Sequence, residues 1–198
     1  IAATKSKDKT SFHEMRVRHF SSISIRGGIN VVLKYQPNKK PMVQEAGQGL
    51  DKLQVYVNKQ TLNIRAPDGK LRNNQPQVVV LLTRPLKSLS VEGNTDVSGR
   101  NIRSKNLNIW AKGSGRIALS GNLDTSQIWQ TAGSYVSLTG VHSKEINVKL
   151  SELATASLQG EATLLTGRLN NASLLAADKL RADTVFVQTS SNTVARVF

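Results

Sequence analysis

The sequence predicts an all-β protein, a parallel β-solenoid of about six rungs whose N-terminal strands continue or cover the stack. Three observations carry this. From about Leu86 the chain repeats itself every 18 to 21 residues. All five prolines lie in the first 85 of 198 residues, and proline cannot donate to a strand ladder, so the chain beyond Pro85 can form uninterrupted sheet. Fourteen glycines, an apolar share of 38% and a charged share of 20% suit short strands joined by many turns. The same figures exclude other classes. Charge is too low for a disordered chain, and no apolar run nears the roughly 18 residues of a membrane helix. With no cysteine, disulfides, thiolate metal sites and cysteine nucleophiles are all absent.

Residues 1–11 (IAATKSKDKTS) are polar and basic and are expected to form a mobile tail, at the start of a mature chain whose export signal is gone or of a trimmed one. Residues 12–85 read as an N-terminal strand region of the same domain, with strands near 20–26, 29–35, 53–57, 61–66 and 77–83. Ile23 and Ile25, like Leu53, Val55 and Val57, alternate as half-buried strands do. Gly27-Gly28 and Asn58-Lys59-Gln60 mark turns. Residues 43–52 are ambiguous, although two glycines speak against a long helix.

Residues 86–198 carry the repeats. Stacking them puts Leu89, Leu107, Ile128, Ile146, Leu164 and Val185 at one position, with Ile109, Val148 and Val187 expected in the interior of corresponding strands. A second strand follows each polar corner, as in 113–121, 132–140 and 154–160, where Ser114 and Ser134 occupy equivalent corners. Gly99, Gly121, Gly140 and Gly160 end these strands, and Ile102, Leu123, Val141, Ala162 and Leu180 close the turn. A unit this short cannot bury its apolar face alone and must stack on its neighbours. Leucine-rich horseshoes share the period but need a helical segment and a periodic Asn or Cys, which this repeat lacks.

The pieces FSSISIRGGINVVLKY (20–35), with its Gly28-Ile29-Asn30 tripeptide, TLNIR (61–65), VVVLLTRPLKSLSVEGNTDVSG (78–99) and the glycine-terminated repeats give the chain its family likeness. Over roughly residues 17–198 it resembles the bacterial head-GIN-domain proteins, a family described as autotransporter adhesin heads. The resemblance implies a right-handed parallel β-helix, an exported or cell-envelope location (periplasm, cell surface or secreted) and no established catalytic residue.

No catalytic constellation, metal site or cofactor motif is found. His13, His19 and His142 have no pairwise spacing that would set two on one strand face as ligands. The repeat-region carboxylates, Asp178 and Asp183 in a turn among them, fall at different places in the unit and build no column. A glycosidase pair or a calcium cage would need convergence. No serine stands in a nucleophile elbow, and no phosphate loop occurs. The formal net charge is +14 and uneven, with 15 basic and 5 acidic residues in 1–85 against 12 and 8 beyond. Lys5, Lys7, Lys9, Arg16, Arg18, Lys39 and Lys40 are therefore candidate polyanion contacts. Nothing specifies nucleic acid, since no such fold motif occurs and aromatics do not interleave with the basic residues.

The outward face offers another candidate. With Leu107 and Ile109 pointing in, Asn108 and Trp110 point out, and Trp129, Asn147, Leu165 and Phe186 follow in the column of Asn108. Trp110, Trp129, Leu165 and Phe186 are thus candidate contacts for a glycan or a surface protein, unless the N-terminal strands fold over that face, as the need of residues 12–85 to pack favours. The expected function is a non-catalytic, adhesin-like binding module. The alternatives are a polysaccharide-active β-helical enzyme, lyase or hydrolase, and an electrostatic polyanion binder. The last rung, running to Val197 and Phe198, is expected to invite self-association, because an open rung presents unpaired backbone.

Overall fold

The computed structural model describes residues 11–47, 53–66 and 77–198; the tail residues 1–10 and part of the ambiguous 43–52 segment lie outside them. The architecture is a β-solenoid of about six turns. Five long strands make its body: β9 (Asp96–Lys112), β10 (Arg116–Thr131), β11 (Tyr135–Leu150), β12 (Thr155–Leu169) and β13 (Leu174–Thr189). Each pairs in parallel with the next. In β10, for example, 116–119, 121–123 and 127–131 pair with β9 as three runs, with register shifts between 119 and 121 and on both sides of Thr125, which gives the turn three sides. Strand β8 (Leu86–Glu92) pairs with the second half of β9, and β14 (Val194–Arg196) with the start of β13. Asp178 and Asp183, expected in a turn, lie within β13, with Asp178 at a register shift of the ladder with β12.

The N-terminal strands continue the stack; among the described residues they do not cover it. Strands β2 (Ser22–Arg26) and β3 (Asn30–Tyr35) form a rung on β8 and β9. Strands β6 (Thr61–Arg65) and β7 (Gln77–Leu82) form the next rung outward, parallel to β2 and β3. Beyond these the pairing turns antiparallel: β5 (Gln54–Asn58) lies on β6, β4 (Met42–Gly47) on β7 and β1 (Ser11–Arg16) on β4. The β5–β6 hairpin turns at Lys59 and Gln60, both at positive φ, as a two-residue hairpin requires. Antiparallel strands finish the N-terminal end, and among the described residues no further parallel rung follows there.

Inward side chains stack in columns. One runs Val78, Val31, Val97, Ile117, Val136, Ala156 and Leu175, and another runs Leu62, Ile23, Leu89, Ile109, Ile128 and Val148; all are buried. Each Val, Leu or Ile among them contributes about 1.5–3 kcal/mol on leaving water, so the columns oppose the ordering entropy. The register expected for Ile109, Val148 and Val187 is correct, although Val187 on the last long strand is only partly buried. The six-residue alignment is not. Leu89 and Ile128 stack with Ile109, whereas Leu107 points inward elsewhere, and Ile146 stacks with Leu165 and Val185. Leu164 pairs with Glu145 and Thr184 on the other face of the strand. At the corners Ser134 stacks between Gly115 and Ala154, one residue away from the expected match with Ser114. Its buried hydroxyl donates to the Ala111 carbonyl at 3.3 Å, and Ser173 repeats the arrangement to Leu150 at 3.3 Å.

One buried carboxyl sits in the N-terminal sheet. Glu45 of β4 lies opposite His13 of β1, with His13 Nδ1 3.6 Å from its oxygen. Burial pushes the Glu45 carboxyl above the usual carboxylate range, and His13 opposes this with a smaller effect. The folded state therefore binds the proton more tightly than the unfolded chain. The stability gained is present below the unfolded value of about 4.3 and is lost as pH rises through the folded value. Glu45→Gln is expected to raise the thermal midpoint at neutral pH and to change it little at about pH 4. Melting curves at the two values check the sign.

Candidate binding face

The side of the solenoid formed by β8 and the C-terminal runs of β9 to β13 is the candidate site. Outward residues alternate there with the buried columns, because successive residues of a strand face opposite ways. The central outward column runs Ser90, Trp110, Trp129, Lys149, Arg168 and Gln188. Toward the N-terminal end it continues through Ser24 and Asn63 to Tyr56, itself exposed. Trp110 is 40% exposed and Trp129 46%, on consecutive strands about 4.8 Å apart. Lys149 Nζ stands 4.7 Å from the Trp129 ring centre, a cation–π contact. The column beside it carries Ser88, Asn108, Gln127, Asn147, Thr166 and Phe186. Within it Asn147 Nδ2 donates to Thr166 Oγ1 at 2.7 Å. The third column holds Glu92 and Lys112, with Glu92 3.2 Å from the guanidinium of Arg26. Trp110, Trp129, Lys149 and Arg168 line a shallow groove of about 590 Å³.

These positions correct two expectations. Trp129 stands in the column of Trp110, not of Asn108, so the two tryptophans are direct neighbours. Leu165 is 1% exposed and belongs to the core: it stacks between Ile146 and Val185, one residue out of the expected register. Phe186 is in the expected column and 67% exposed, but it lies beyond Thr166, away from the tryptophans. The cover expected from the N-terminal strands is not there among the described residues, since those strands extend the stack along its axis. Lys149, Arg168 and Tyr56 were missed. Alternation alone marks Lys149 as outward beside Val148, while Tyr56 enters the column only through antiparallel pairing that the sequence does not reveal.

Of the basic candidates, Lys5, Lys7 and Lys9 lie outside the described residues. Arg16, Arg18, Lys39 and Lys40 are exposed. Arg16 pairs with Met42, and the Val17 amide donates to Pro41 at 3.3 Å, so the two basic pairs meet at one sheet edge. A second groove, on the short side of the solenoid, gathers His142, Asp124, Glu145, Glu161 and Asp183. Two of its carboxylates have local partners: Glu161 lies 2.7 Å from His142 Nδ1, and Asp124 accepts the Asn106 backbone N–H at 3.1 Å, at a turn where Asn106 has positive φ. Among the described residues no group of three or more His, Cys, Asp or Glu is placed to hold a metal ion, and no helix is long and apolar enough to cross a membrane.

Solved structures share the fold. A putative adhesin from Parabacteroides merdae is 13% identical, with a TM-score of 0.77 over 96% of this chain and 81% of that one. A putative lipid binding protein from Parabacteroides distasonis is also 13% identical, with a TM-score of 0.74 over 96% and 82%. A putative adhesin from Bacteroides fragilis is 18% identical, with a TM-score of 0.63 over 96% and 79%. No curated protein matches the sequence. A family model does, across residues 19–198. The chain belongs to the family described as putative auto-transporter adhesin, head GIN domain.

Proposed function

We propose that this protein is a non-catalytic, adhesin-like binding module, exported to the cell envelope or surface, and that it holds glycan on the tryptophan-bearing face. The observation that carries the reading is the pair Trp110 and Trp129, exposed on consecutive strands of one face. Two large rings in water are unusual on a solvated surface, and an indole supplies the apolar area on which a sugar ring stacks. The hydroxyls and amides of Ser88, Asn108, Gln127 and Asn147 run alongside and match a polyhydroxylated ligand. Membership of an adhesin-described family supports a binding role in the envelope.

The expected result is glycan binding that disappears in the double variant Trp110→Ala/Trp129→Ala and weakens at least tenfold in either single variant. Both sites are exposed, so the melting midpoint should move little. A glycan array of the intact protein, followed by calorimetry on the best hit, measures this. Unchanged affinity in the double variant would sink the proposal.

A further inference from the structure

We infer that the groove selects an acidic saccharide, with its rings on the tryptophans and its carboxylate or sulfate on Lys149 and Arg168. This rests on the glycan-binding reading and names the ligand class for the same face. The charge around the groove is the observation. Lys112, Lys149 and Arg168 line it, and Glu92, its one carboxylate among the described residues, is already engaged by Arg26 at 3.2 Å. A neutral sugar would leave three cations uncompensated beside it. An anionic one completes them.

The order along the column supports the same ligand. Trp110, Trp129, Lys149 and Arg168 occupy four successive strands, so aromatic area changes to cationic charge over three spacings, about 14 Å. One chain lying along the solenoid axis meets both. Lys149 rests over the Trp129 ring, so its ammonium is held at the boundary where a ring and its acidic substituent would both be in reach. Arg168 adds a fork suited to a carboxylate or sulfate. A single-stranded nucleic acid also combines stacking and anions. Against it stand the neutral amide and hydroxyl column on one flank and a central column whose cations, Lys149 and Arg168, lie at one end of the aromatic pair. A strand with a phosphate at every nucleotide needs cations along its length.

The test compares oligosaccharides in matched pairs, each acidic member (uronate, sulfated or sialylated) against its esterified, desulfated or desialylated counterpart. A single-stranded oligonucleotide serves as a third ligand. The intact protein is expected to prefer acidic members by at least tenfold, with the preference reduced but kept at physiological salt. The double variant Lys149→Gln/Arg168→Gln should bring the two members to equal affinity while keeping the weak, tryptophan-dependent binding. If neutral and acidic members bind alike and Lys149→Gln/Arg168→Gln changes nothing, the acidic preference is overturned and glycan binding stands. Should no glycan bind, both fall. Tighter, tryptophan-dependent binding of the oligonucleotide would overturn the proposal in favour of nucleic acid.

Discussion

Val148→Asp is expected to yield no cooperatively folded protein. Val148 is fully buried on β11, stacked between Ile128 above and Gly167 below in an interior column. A carboxylate there meets no buried lysine or arginine among the described residues, and burying an unpaired charge costs several kcal/mol even after relaxation. A domain holds only about 5–15 kcal/mol in total. Solenoid turns also depend on their neighbours, so one failed turn exposes the faces of the two beside it. The outward neighbour is the control. Lys149→Asp changes charge at an exposed position and should cost about 1 kcal/mol or less. Thermal melts and solubility of the two variants read the alternation directly: a soluble, sharply melting Val148→Asp would mean that this strand faces the other way.

The column containing Val148 also explains what the sequence could and could not reveal. The period, the all-β class and the alternation were legible because Leu, Ile and Val recur at inward positions. The alignment between turns slipped because two inward positions carry no such label. Gly167 occupies the place of Ile109, Ile128 and Val148, and Gln130 occupies the place of Val91, Ala111 and Leu150. Gln130 is tolerated there because its Nε2 donates to the Ser134 and Thr155 carbonyls, at 3.2 and 2.8 Å. With those labels missing, Leu164 looked like the repeat mark although Leu165 is the core residue. The register shifts in β10 between Leu123 and Gln127 hid the match of Trp110 with Trp129 in the same way. The path of the N-terminal strands was out of reach for a different reason. Their pairing is non-local and out of chain order, and no local propensity encodes that β6 and β7 lie outside β2 and β3. The binding face inherits both limits. Its tryptophans were visible as outward residues, whereas its exposure depended on where residues 12–85 went.

Gly140→Ala should destabilise the fold far more than Gly133→Ala, although both glycines have positive φ, +84° and +75°. At Gly133 an added methyl group meets nothing within 4 Å, so the cost is the left-handed backbone alone, about 1–2 kcal/mol. At Gly140 the same methyl would fall on the carbonyl oxygen of Gly121 in the neighbouring turn. That atom is backbone held in the parallel ladder and cannot swing aside. The adjacent corners repeat the arrangement, with Gly121 against the carbonyl of Ile102 and Gly160 against that of Val141. A displaced backbone at Gly140 is therefore passed along the stack. We expect a loss of at least about 3 kcal/mol for Gly140→Ala. For a chain of this size that lowers the midpoint by about 6–12 °C, against about 2–8 °C for Gly133→Ala. Calorimetry of the two variants side by side decides it, and equal midpoints would mean that the turns do not nest closely enough at this corner for glycine to be required.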